Sequence, residues 1–171
     1  MKIKLLSAVA ATAIFATPAL AQNPVASTET YVGASIGYHD IGVDVPDDDG
    51  AIYGVVAGVD FTAGSTFFIG AEGNYHLGDG VIDSEYGIAA RAGIKAGGSK
   101  FYVKGGYQEV DFDLVRIAGP AAAGLDDTEG DYLVGVGADI GLPGDAIKLR
   151  LAADTIAFDS TRLTAGVLFS F

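Results

Sequence analysis

Apolar residues recur at every second position along most of this chain, and that period constrains the fold more than any other feature. Side chains that alternate in this way belong to β-strands with one apolar face. Eight segments from Thr30 onward carry the pattern. In the first, Val32, Ala34, Ile36 and Tyr38 oppose Gly33, Ser35, Gly37 and His39. In the last, Leu163, Ala165, Val167, Phe169 and Phe171 oppose Arg162, Thr164, Gly166 and Ser170. Aromatic residues sit near the ends of the apolar faces. The opposite faces are rich in glycine and carry Glu72, Arg91, Lys104, Asp139, Lys148, Arg150 and Asp154.

Soluble antiparallel sheets alternate too, so the connections have to identify the solvent. Those at 62–66, 96–99 and 142–146 are short and rich in Gly or Pro, and between them come longer acidic links at 43–50, 78–85, 114–128 and 158–161. Short turns on one side and longer loops on the other are the rule for barrels that span an outer membrane. The expected fold is therefore all-β, an eight-stranded antiparallel transmembrane β-barrel over residues 30–171. An even strand count leaves both chain ends on the same, periplasmic side.

The opening "MKIKLLSAVAATAIFATPALAQ" has two lysines, an apolar run from Leu5 to Phe15 and the small-residue pattern Ala19-Leu20-Ala21. It reads as a cleavable signal peptide over 1–21, followed by a short linker over 22–29. The apolar run is too short for a membrane helix, which needs about 20 residues. Half of the chain is nevertheless hydrophobic, and its mean hydropathy is +0.36, so the apolar content must lie in the alternation. Cysteine is absent, which excludes disulfides and thiol chemistry. Loss of Lys2 and Lys4 with the leader moves the formal charge from −12 to −14, the wrong sign for a nucleic-acid partner.

Together, the leader, the eight alternating segments, the loop order and the terminal aromatic resemble the small outer-membrane β-barrels. Examples are the opacity-type proteins and the membrane domain of outer membrane protein A. The resemblance implies a non-enzymatic, porin-like barrel of a Gram-negative cell envelope, with a structural or surface-interaction role, no cofactor and outer-membrane lipids as its surroundings. It also implies that Val167, Phe169 and Phe171 form the signal read by the barrel-assembly machinery.

Register can be read from the turns. A hairpin centred on 78–85 places Glu72 opposite Arg91, the turn at 96–99 places Lys104 opposite Arg91, and that at 142–146 places Asp139 opposite Lys148 or Arg150. These six residues are expected to form an ionic network inside the barrel. Eight strands enclose a space about wide enough for side chains to fill, which favours a plug. The many inward glycines favour the alternative, a narrow passive channel for small polar solutes.

Catalysis is not expected, although a lipid-modifying enzyme is a second alternative. His39 and His76 are the only histidines, no serine is expected beside either, and His39 and Asp40 point to opposite faces. The acidic loops include Glu85 in the second and Asp47, Asp48 and Asp49 in the first. "DVPDDDG" is a candidate cation-binding loop but lacks the spacing of a calcium loop. Solvated carboxylates are the plainer reading, with no metal. The third loop, with "AGPAAAG", offers a surface for a ligand.

Overall fold

The computed structural model describes residues 27–40, 42, 49–79, 82–112, 127–144 and 146–171. They form eight strands: β1 (Thr28–Asp40), β2 (Asp49–Ala63), β3 (Phe67–Gly78), β4 (Ile82–Ala96), β5 (Ser99–Phe112), β6 (Asp127–Gly141), β7 (Ile147–Ile156) and β8 (Ser160–Ser170). Each pairs antiparallel with the next, and β1 pairs with β8 to close the barrel, from Tyr31↔Ser170 to Asp40↔Thr161. Phe171 extends the seam: its N–H donates to the Thr30 carbonyl at 2.9 Å, and its own carbonyl accepts from the Thr30 N–H at 3.1 Å.

The two faces of this wall are inverted relative to a water-soluble protein. Among the described residues, 27 large apolar or aromatic side chains are exposed and 11 apolar or aromatic ones are buried. The inside is instead mostly polar and charged. An apolar band of that extent calls for an apolar solvent, which a bilayer supplies. The band is bounded by aromatics of different kinds. Tyr38, Tyr53, Tyr75, Tyr86, Tyr107 and Tyr132 point outward, one on each of β1 to β6. All lie toward the end bearing the 41–48, 79–81, 113–126 and 157–159 connections, here called the loop end. Phe67, Phe101, Phe169 and Phe171 are exposed toward the opposite, turn end.

Two connections differ from expectation. The links read as longer loops at 78–85 and 158–161 shrink to 79–81 and 157–159, so short and long connections do not alternate strictly. In the first case β4 begins at Ile82, which is buried against Val110 with Phe112 packed beside them. A bulge follows between Ile82 and Ser84, and both Ser84 and Glu85 turn inward. One buried isoleucine thus recruits an acidic stretch into a strand. In the second case Asp159 N–H donates to the Ile156 carbonyl at 3.3 Å, and Ala157 and Phe158 between them have φ of 56° and 63°. That sign pattern suits a tight hairpin but is usually given to Asn-Gly; in other residues it costs roughly 1–2 kcal/mol each.

Candidate functional site in the barrel interior

The interior is a column of charge. Among the described residues, six cations and six anions line it: Lys100, Lys148, Arg91, Arg150, Lys104 and Arg162, with Glu29, Asp60, Glu72, Asp139, Asp154 and Glu85. All are buried except Glu29, which enters from the first residues of β1 and keeps a quarter of its side chain exposed. Glu29 belongs to the linker in the sequence reading, but in the structure it is a strand residue facing two lysines.

From the turn end inward, Lys148 pairs with Glu29, Lys100 Nζ lies 2.8 Å from Glu29 and 2.6 Å from Asp60, and Asp60 is 3.2 Å from Arg91 Nε. Arg91 then forks: Nη1 donates to Glu72 at 3.0 Å and Nη2 to Asp139 at 2.8 Å. Arg150 closes a ring by donating to both of those carboxylates, at 2.6 Å to Asp139 Oδ1. Planar guanidinium groups suit such two-carboxylate bridging because their donors are fixed in a fork. Lys104, 3.6 Å from Glu72 and 3.1 Å from Asp154, joins this tier to the next. Arg162 binds Asp154 at 2.8 Å and Glu85 at 2.5 Å.

Aromatic rings and glycines hold the central arginines in place. The Arg91 guanidinium lies 3.9 Å from the centroid of Tyr102 and 5.1 Å from that of Tyr31. Tyr31 also donates to Glu72 Oε2 at 2.6 Å. Side chains this large fit because the wall beneath them is bare: a Cβ on Gly58 would run into the Tyr31 hydroxyl, and one on Gly137 into the Tyr102 ring. Here glycine supplies space for its neighbours.

The six residues expected to form the network are therefore all buried inside and all in ion pairs. Register differs at one place. Arg91 is opposite Lys104, and Asp139 opposite Arg150, but Glu72 faces Ala89 while Arg91 faces Gly70. The shortened 79–81 connection shifts the hairpin by two residues. Arg91 reaches Glu72 along the diagonal instead. Asp60, Lys100, Glu85 and Arg162 are further members: Lys100 with Asp60 and Arg162 with Glu85 cross the interior between strands that are not neighbours, whereas Arg162 also faces Asp154 directly across β7 and β8.

At the loop end the column finishes in a hydrogen-bonded cluster. His39 Nδ1 is 2.7 Å from Glu85 Oε2, and His76 Nδ1 is 3.3 Å from Glu85 Oε1. Contrary to the sequence reading, each histidine has a serine beside it: Ser35 Oγ is 2.7 Å from His76 Nε2, and Ser160 Oγ is 3.4 Å from His39 Nε2. Ser35 meets His76 across β2, where Gly54 leaves the way open at the same level. Hydroxyl, imidazole and carboxylate are in the order a hydrolase uses. Yet Glu85 is shared by two imidazoles and Arg162, and every member is buried, which makes this a closed network.

The remaining sites divide by position. Val167, Phe169 and Phe171 share the exposed outer face of the seam. Asp47 and Asp48 lie outside the described residues, as do the leader over 1–21 and the "AGPAAAG" segment; Asp49 is the first residue of β2.

No protein-family model and no curated protein matches the chain. Among solved structures it is similar to Ail, the attachment invasion locus protein of Yersinia pestis, in complex with the heparin analogue sucrose octasulfate. Identity there is 10%, the TM-score is 0.55, and the match covers 86% of this chain and 99% of that one. It is similar also to Neisserial surface protein A, at 14% identity and a TM-score of 0.54, covering 85% of this chain and 99% of the other. A third is the N-terminal β-barrel domain of Pseudomonas aeruginosa OprF, at 12% identity and a TM-score of 0.52, covering 84% and 97%. Likeness at such identities is likeness of fold. With its closed ring of eight antiparallel strands, this chain has the fold of the small outer-membrane β-barrels.

Proposed function

We propose that the chain is exported by a cleaved leader over 1–21 and inserted in the outer membrane of a Gram-negative bacterium. There it serves as a non-conducting, non-catalytic barrel with a structural or surface-interaction role. The observation that carries this reading is the connected column of six cations and six anions that occupies the interior. A solute would have to part buried ion pairs to pass, and leaving a buried charge without its partner costs about 3–5 kcal/mol. The apolar outer band supports lipid as the surroundings, and the exposed Val167, Phe169 and Phe171 support recognition of β8 by the assembly machinery.

The loop end is the surface left for a partner. Of the 22 Asp and Glu in the chain, sixteen lie outside the column, and all of those but Asp145 fall in or near the loop-end connections. Arg116 is the only Lys or Arg in those connections. Ail was crystallised with a polyanion; this surface repels polyanions and favours a cationic partner.

Since the chain lacks cysteine, single cysteines report which side each end faces. With Asp83→Cys at the loop end and Ser65→Cys at the turn end, an impermeant maleimide applied to whole cells should label the first and spare the second. The protein should also migrate differently on a gel when unboiled. Reversed labelling would overturn the orientation, and a soluble, heat-insensitive product would overturn the membrane reading.

A further inference from the structure

The outward tyrosines form a ring with a gap. β1 to β6 each contribute one near the loop end, but the outward loop-end residues of β7 and β8 are Ala153, Thr155, Thr161 and Leu163. Over that gap sits the strained 157–159 turn. Its Phe158 is 68% exposed, and its ring meets that of Tyr132 with centroids 5.2 Å apart. The Tyr132 hydroxyl donates to the Ala157 carbonyl at 3.2 Å, and the Ala157 N–H donates to the Tyr132 carbonyl at 3.0 Å. Both bonds tie the turn sideways onto β6 and bring Phe158 to the outer face, level with the last tyrosine of the ring.

A hairpin free to choose its turn residues would place Asn-Gly where Ala157 and Phe158 adopt positive φ. Strain kept at such a place points to a demand on the side chain. An exposed phenylalanine beside a tyrosine girdle suits the boundary between headgroups and acyl chains, where amphipathic and aromatic rings collect. We infer that Phe158 is the lipid-interface anchor of β7 and β8, closing the aromatic ring that the tyrosines of β1 to β6 leave open. The anchor rests on the membrane reading proposed above and adds a residue-level contact to it. Its partner is the glycerol and upper acyl region of the surrounding lipid.

The chain has no tryptophan, so Phe158→Trp provides a single reporter, and Leu151→Trp, from the exposed middle of β7, provides a depth control. In bilayers, the residue-158 reporter should emit to the blue of its value in denaturant and be quenched more by lipids brominated near the glycerol than by those brominated at the chain ends. The residue-151 reporter should show the opposite order. If residue 151 is quenched while residue 158 emits as in water, the anchor is overturned and the barrel stands. If neither is quenched, the membrane reading falls with it. A second variant, Ala157→Asn with Phe158→Gly, relieves the turn. It should raise the urea midpoint in short-chain detergent and lower it in bilayers, whereas a rise in both would assign Phe158 to the turn alone.

Discussion

The interior and the loop end handle charge in opposite ways. Inside, every cation of the column lies within 4 Å of an anion, and the tally is even. At the loop end carboxylates accumulate, and Arg116 is the only Lys or Arg in the connections. Water and salt screen charge at a rim, so its arrangement costs little. The interior has no such screen, and charge there persists only by mutual pairing with geometry that satisfies most donors. The difference teaches which carboxylates are structural: those whose removal leaves a cation with no alternative.

The sharpest way to break the contrast is Arg91→Ala. It strips one partner from each of Asp60, Glu72 and Asp139 and should cost about 3–5 kcal/mol, read as loss of the heat-modifiable band or a large fall in urea midpoint. Lys104→Met is milder, because Glu72 keeps both central arginines and Asp154 keeps Arg162. A loss of about 1–3 kcal/mol is expected there. Double-mutant cycles then sharpen the picture of tiers. Arg150 and Asp139 should couple by about 0.5–3 kcal/mol, whereas Arg91 and Glu85, on opposite sides of Lys104, should be additive to within about 0.5 kcal/mol. Smallest of all, Asp83→Asn or Asp159→Asn at the rim should each change stability by no more than about 0.5 kcal/mol.

That ordering also explains what was legible in the sequence. Period-2 alternation assigns faces because one residue of slip would invert every side chain, and the inward placement of Arg91, Lys104, Asp139 and Arg150 followed from it. Neighbouring-strand pairs such as Asp139 and Arg150 could be read from turn positions. Pairs that cross the interior could not: Lys100 with Asp60 joins β5 to β2, Lys148 with Glu29 joins β7 to β1, and Arg162 with Glu85 joins β8 to β4. Such contacts depend on barrel closure and side-chain length, which register does not encode. Glu85 was read as a loop acid since "DGVIDSE" is polar by composition. The signal that it is a strand was the single Ile82, whose burial outweighs the polarity around it.

Strand order brings together residues far apart in the chain, His39 and Ser160 across the β1–β8 seam and Ser35 and His76 across β2. Ser35 and His76 lie 41 positions apart and His39 and Ser160 lie 121 apart, yet both pairs share Glu85 through their imidazoles. A linear search for a serine near a histidine could not find them. Gly54 was the available clue, because a glycine between two inward polar residues on flanking strands lets them touch across it.

The central claim is that the paired column closes the barrel, and conductance tests it most directly. Folded protein reconstituted in a planar bilayer at moderate salt should give no steady single-channel current above the lipid baseline. A reproducible, long-lived conductance from the unmodified chain, altered in size by Glu72→Gln or Arg91→Ala, would contradict the account and make the column the lining of a channel.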